Sequence, residues 1–257
     1  MTWQQNWVAF STILIKEILR FLRIWKQTIL PAVITTVLYF IIFGHLVGSA
    51  IGEMDGVPYH DFIVPGLVMM TVISNAYGNT VASFFSAKFH GSIEEMLVSP
   101  MSNSVILLGF IGGGVARGLV VGAAVISVVL LFTEVPIMHA WITFSIVILT
   151  SILFALAGII NGIYARSFDD ISIIPTFVLT PLTYLGGVFY SISMLSEFWQ
   201  NLSLFNPILY MVNAFRYGLL GVSDIDLSLS YIIILSFIGI LFMFTLYLLK
   251  RGKGLRN

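Results

Sequence analysis

The chain has 257 residues, 58% of them hydrophobic and 9% charged, and a mean hydropathy of +1.01; a soluble domain carries roughly 25% charged residues. Twelve basic and twelve acidic residues give zero net charge, which offers no electrostatic footprint for nucleic acid. Cysteine is absent, which excludes disulfides, thiolate metal sites and thiol catalysis. The composition is that of an all-α polytopic membrane protein, read as a single domain over 1–257.

Residues 1–28 read as an amphipathic interface helix. Trp3, Trp7, Phe10, Leu14, Ile18, Phe21 and Trp25 recur at spacings of three and four, and Thr12, Lys16, Arg20, Arg23 and Gln27 recur on another face. A cationic face beside a Trp-rich one suits the membrane interface. The segment is either a surface anchor or also a dock for a cytoplasmic partner. Its aromatics precede its charges, the reverse of a cleaved signal peptide, so it is expected to be kept.

Six spans are expected over the transmembrane region 29–249, at 29–48, 62–85, 106–132, 141–164, 172–190 and 230–249, each near the ~20 residues a helix needs to cross the hydrocarbon. Pro31 opens the first, where its missing N–H costs little. The loops 49–61, 133–140 and 191–229 hold Glu53, Asp55, Asp61, Glu134, Glu197, Asp224 and Asp226. Ten of the twelve basic residues fall on the opposite side: Lys16, Arg20, Arg23 and Lys26, then Lys88 and Arg166 in the loops 86–105 and 165–171, then Lys250, Arg251, Lys253 and Arg256 in the tail 250–257. An even span count and the positive-inside rule place both termini in the cytoplasm. No inverted repeat of the secondary-transporter kind is visible.

Span two carries a small and polar stripe of Thr71, Ser74, Asn75, Gly78, Asn79 and Ala82, which reads as a helix seam or as a substrate-facing lining. Loop 86–105 holds a short amphipathic helix. Ser92 and Glu95 have capping-box spacing, Ile93, Met96 and Leu97 give one apolar side, Glu94 and Glu95 are charged, and Pro100 ends it. It is either a coupling element or a passive turn. In span three, Gly114, Gly118 and Gly122 form two G-x-x-x-G steps. Arg117 among them snorkels to the inner headgroups if the span begins near Gly113, or else faces the mouth of a pathway near Asn75 or Asn79. Asp169–Asp170 beside Arg166 reads as a solvated turn or helix cap. The apolar segment 191–229, broken at Asn206–Pro207, reads as two short re-entrant or interfacial helices, the second bearing Arg216, the one basic residue left outside.

Catalytic sets are missing. There is no G-x-x-x-x-G-K-[ST] loop for a nucleotide, and His45, His60, His90 and His139 are scattered with no metal-ligand pair. Every carboxylate is expected in a loop or near a chain end, which argues against ion-coupled transport. A membrane-embedded lipid-modifying enzyme would need a clustered acid–base set at an interface, and a non-transporting scaffold is the other rival.

The stretch Leu179 to Arg216 reads L-x-x-L-x-x-L-G-x-V, six residues, L-S, ten residues, then P-I-x-Y-x-x-x-x-x-R. Its anchors are Leu179, Leu182, Leu185, Gly186, Val188, Leu195, Ser196, Pro207, Ile208, Tyr210 and Arg216. This resembles the signature of type-2 ABC exporter permeases, and Glu-Met-Leu-Val-Ser-Pro ending at 100 and Phe-Asp-Asp-Ile at 168–171 agree with it. The resemblance implies a homodimeric permease of a bacterial inner membrane that moves an amphiphile such as a drug, lipid or lipid-linked glycan outward. It implies no cofactor on this chain, with ATP and Mg on a separate ATP-binding subunit. Ile93, Glu94, Glu95, Met96 and Leu97 would couple to that subunit, and the N-terminal helix with Lys16, Arg20 and Arg23 would lie against it. Asn75, Asn79, Gly114, Arg117 and Gly118 would line the pathway or dimer seam, and Gly186, Pro207, Tyr210 and Arg216 would belong to an external gate.

Overall fold

A computed structural model describes residues 2–133, 135–252 and 254. Glu134 of the acidic loop and Lys253 and Arg256 of the basic tail lie outside the described residues, as does the side chain of His45. The chain is a helical bundle with one small exception. Residues Glu53–Met54 (β1) and Val57–Pro58 (β2) pair antiparallel around Asp55 and Gly56, which both take positive φ (52° and 75°). An Asp-Gly pair in that conformation makes the tight turn whose twist matches a hairpin.

Helix α1, Trp3–Arg23, starts at a capping box between Thr2 and Gln5. Its buried residues are Ile13, Glu17 and Phe21, one face at four-residue spacing. That face does not lie flat on a membrane surface. It packs on glycines of a transmembrane helix: a Cβ added at Gly109 would stand 2.5 Å from Ile13 Cγ2, and one at Gly113 would stand 2.5 Å from Glu17 Cβ. Trp3 and Trp7 stay exposed beyond it.

Among the described residues, five helices are long and apolar enough to cross a membrane: α2 Trp25–Ile51, α3 Tyr59–Phe89, α5 Asn103–Val129, α6 Ala140–Tyr164 and α10 Leu227–Arg251. The short α4, Ser92–Val98, lies between α3 and α5. Helix α2 is irregular, with Pro31 in its first turns and a π-helical stretch at Phe40–Val47. Helix α3 is the least apolar of the five, at a mean hydropathy of 1.2, and the most enclosed; α2 and α10, at 2.1 and 2.7, expose most of their surface. The polar span is thus shielded by its neighbours, and the apolar ones are left to face lipid or another chain.

The span expected at 172–190 is different in kind. Residues 170–184 (α7) form Asp170–Ile174, a π-helical Pro175–Leu179 and Thr180–Tyr184. Pro175 and Pro181 each remove a backbone donor. Fifteen residues rise about 22 Å, short of a hydrocarbon core of about 30 Å. The strand of chain nevertheless runs the length of the bundle. It leaves one end where Asn161 Nδ2 donates to Ile171 O (3.2 Å), and reaches the other where Tyr59 Oη donates to Phe189 O (3.0 Å). Of the aspartate pair at its start, Asp170 closes the turn: its N–H donates to Ser167 Oγ, and its carboxylate accepts from the N–H groups of Arg166 and Ser167, while Asp169 makes no side-chain cap bond. Those donors, Arg166 first, hold the Asp170 carboxyl below the usual carboxylate range.

After a turn through Gly187 (φ 72°), Glu197–Ser203 (α8) and Pro207–Leu220 (α9) form the expected broken pair. The bundle has two chemically distinct ends. Lys88, Arg166, Lys250 and Arg251 gather where Lys88 Nζ donates to the carbonyls of Ile163 (2.6 Å) and Ala165 (2.8 Å). Asp55, Asp61 and Asp224 gather at the other.

Candidate functional site

At the basic end, α4 stands on the bundle through Ile93, which is fully buried in a cluster with Phe84, Phe110 and Ile106. Glu94 and Glu95 are exposed, and Met96 and Leu97 are half-buried. The expected Ser92–Glu95 capping box is not formed. Gly91, at φ 78°, occupies the cap position, and its carbonyl accepts from the N–H groups of Glu94 (3.0 Å) and Glu95 (3.4 Å). The left-handed cap makes the sharp exit from α3 that a side-chain cap would not, and it leaves both carboxylates free to face outward. Ser99, extended before Pro100, ends the helix. A cavity of about 420 Å³ separates Glu94 from Lys250 and Arg251.

Inside the bundle, the polar stripe of α3 meets three different helices. Thr71 Oγ1 lies 2.9 Å from Thr36 Oγ1 of α2. Asn75 Oδ1 accepts from Arg117 Nε (3.1 Å) and Nη2 (2.9 Å) of α5. Asn79 accepts from Arg20 Nη2 of α1 through its side chain (2.8 Å) and its backbone carbonyl (3.0 Å). Helix α5 begins at Asn103, not near Gly113, so Arg117 lies about 21 Å along its axis. It pairs with Asn75 where a snorkelling arginine would have reached headgroups. Beside it, Glu17 is fully buried. Its carboxylate accepts from Ser83 Oγ (2.5 Å) and Arg20 Nη2 (3.2 Å). This carboxylate lies near the chain end, as expected, but it is enclosed in the bundle. Its position with Ile13 and Phe21 on one helix face was the available signal. Of the three basic residues expected at the N-terminal interface, Lys16 and Arg23 are exposed while Arg20 is engaged here.

Gly114 and Gly118 do not present themselves to a second copy. A Cβ at Gly114 would stand 2.8 Å from Ala155 Cβ of α6 and 3.2 Å from Ala76 O of α3, and Gly118 is closed against Ser151 and Val72 in the same way. These glycines form a three-helix seam within the chain. The polar residues open instead on a groove of about 350 Å³ between α2 and α3, whose lining includes Gln27, Thr35, Thr36, Ser74, Asn75 and Arg117.

At the acidic end, the anchors of the outer segment are drawn together. Gly186 admits Ile208, whose Cγ2 is 2.7 Å from where a Cβ would stand. Pro207 opens α9, Asn206 caps it by accepting from Ile208 N–H (3.0 Å), and Asn206 Nδ2 donates to Leu182 O (2.6 Å). Tyr210 Oη donates to Leu204 O (2.7 Å) and ties α9 back to the end of α8. Arg216 is 1% exposed. Its Nη2 donates to Gly187 O (2.5 Å), its guanidinium lies 3.9 Å from the centre of the Phe62 ring, and its Nη1 is 3.8 Å from Asp224 Oδ2. Asp224 also accepts from Ser191 Oγ (2.7 Å), so this one carboxylate joins α9 to the end of the α7 segment. Phe62, Gly187 and Asp224 were not singled out from the sequence. No group of three His, Asp or Glu able to hold a metal exists among the described residues.

Against known proteins, residues 8–220 match the family described as ABC-2 type transporter. The chain is 54% identical over 252 residues to the inner membrane transport permease YadH of Escherichia coli strain K12, a match covering 98% of each chain. It is 22% identical over 232 residues to nodulation protein J of Rhizobium leguminosarum bv. viciae, covering 88% of this chain and 90% of that one. With nodulation protein J of Neorhizobium galegae the identity is 24% over 244 residues, 91% of each.

Proposed function

The chain belongs to the ABC-2 type transporter family, and from that premise we propose that it is the permease subunit of an exporter driven by ATP hydrolysis on a separate ATP-binding subunit. The reading places it in a bacterial inner membrane, as the printed name of the E. coli relative places that protein. Residues 170–190 supply the sixth crossing, which brings both termini to the basic end and, by the positive-inside rule, into the cytoplasm. Two copies associate through the exposed faces of α2 and α7, with the polar groove beside Asn75 near the route the substrate takes. The broken α8–α9 pair closes the outer mouth. ATP and Mg stay with the partner subunit, since this sequence has no phosphate-cradling loop. An amphiphile suits a bundle whose exposed surface is apolar.

The observation that carries the reading is α4. A seven-residue helix is braced on the bundle by Ile93 and offers Glu94 and Glu95 at the end where the basic residues and Arg251 lie. Such an element transmits a push from a cytoplasmic motor to α3 and α5, which it joins directly. Copurification with the ATP-binding subunit is the test. The double substitution Glu94→Lys, Glu95→Lys is expected to abolish it while leaving the amount of permease in the membrane unchanged. Undiminished copurification would remove α4 from the interface.

A further inference from the structure

Arg117 is a cation in the middle of a transmembrane helix with no acid paired to it. Among the described residues it makes no ion pair, and the neighbouring carboxylate, Glu17, is already engaged by Arg20 and Ser83. A guanidinium has five N–H donors. Two of these, on Nε and Nη2, go to Asn75 Oδ1, a neutral acceptor, and Asn75 Nδ2 is itself spent on Thr71 O (3.0 Å). The remaining donors are at the wall of the groove between α2 and α3.

The other polar groups there cannot neutralise the charge. Thr36 and Thr71 hydroxyls donate back to their own helices, to Ala32 O and Leu67 O, and Ser74 does the same to Met70 O. They leave oxygen lone pairs and no negative charge. A membrane arginine is expensive to retain and normally marks the partner it serves. Asn75 fixes the guanidinium plane by two bonds, so the unspent edge is pre-oriented for a forked contact of the kind a phosphate, sulfate or carboxylate makes. The groove is of a size for a headgroup, and the exposed apolar face of α2, including Ile34 and Leu38, borders it.

We propose that the groove between α2 and α3 is a binding site for the anionic headgroup of an amphiphile, with Arg117 as the anion-binding residue and Asn75 as the residue that positions it. This deepens the exporter reading and rests on it, because it gives the transported amphiphile a negative charge.

The test uses the full chain purified in detergent and incubated with mixed micelles containing equal phosphatidylglycerol and phosphatidylcholine, with the retained lipid read by native mass spectrometry. The wild-type chain is expected to retain phosphatidylglycerol preferentially. Arg117→Gln should reduce that preference about tenfold, the loss expected for one charge-assisted contact. Asn75→Asp, which keeps the arginine and supplies it with a carboxylate, should reduce it likewise without lowering the melting temperature. A parallel arm adds inorganic phosphate: displacement of the lipid shows that the site takes the free anion as well, and no displacement confines it to headgroups. Equal preference in wild type and both variants overturns the proposal. The readout needs no ATP-binding subunit. Loss of the proposal with intact copurification leaves the exporter reading standing, and an Arg117-dependent preference without any ATPase partner does the reverse.

Discussion

Arg216 is the bulkiest side chain fully enclosed among the described residues, and it is charged. Its burial is tolerated because three different segments answer it: Gly187 with a carbonyl, Phe62 with a ring face and Asp224 with a carboxylate. Removing the arginine would leave the Gly187 carbonyl without its donor, the Phe62 ring without its cation and Asp224 without its ion pair, and would open a cavity where the side chain was enclosed. Arg216→Ala is therefore expected to insert normally, since the basic end that directs insertion is untouched, but to melt at a clearly lower temperature in detergent and to lose ATP-driven transport. A variant that melts and transports like wild type would show that this end is not a structural gate. The arginine was legible in the sequence as one of two exceptions to the charge rule, with Arg117, and the one expected outside. Its partners were not, because positions 62, 187 and 224 meet only through long-range packing. Glu17 was missed for a related reason: its partner Ser83 sits on another helix, 66 residues away.

Among elements, α1 changes character most between sequence and structure. Its Trp-rich periodicity announces an amphipathic helix, and the helix is there, but the buried face is Ile13–Glu17–Phe21 and the surface beneath it is a glycine track on α5. Hydropathy cannot show this, because a glycine track carries no side chains to be counted. The consequence is that α1 is a fixed part of the bundle and moves with α5. Since the chain has no native cysteine, the pair Ile13→Cys, Gly109→Cys is expected to cross-link in the membrane under mild oxidation, while Trp7→Cys, Gly109→Cys is not. Equal cross-linking of both pairs would mean that α1 is loosely attached. The segment 170–184 is the complementary case: its composition reads as one more uniform span, and the helix, bearing Pro175 and Pro181, is short and π-helical in its middle. The other five spans were legible to within a few residues, because long apolar runs bounded by charge leave little choice of position.

At the scale of the molecule, the charge asymmetry read from the sequence reappears as two opposite ends of one bundle. Lysines and arginines surround α4 at one end, and aspartates surround Arg216 at the other. Helix α3 links the two, since its first turns carry Tyr59 and Phe62 at the acidic end and its last residue leads directly to Gly91 and α4. Its middle carries Asn75 and Asn79, which hold Arg117 and Arg20. Helix α3 is thus one continuous helix that touches α1, the polar groove and the acidic end in turn. The central claim is that this chain converts ATP hydrolysis on another subunit into movement at its far end. It is tested most directly by measuring the ATPase rate of the ATP-binding subunit in proteoliposomes with and without this chain. The account predicts a rate that rises several-fold when the wild-type chain is present and falls back to the basal value with Glu94→Lys, Glu95→Lys. An ATPase rate that is the same with the chain, without it and with the double variant would contradict it.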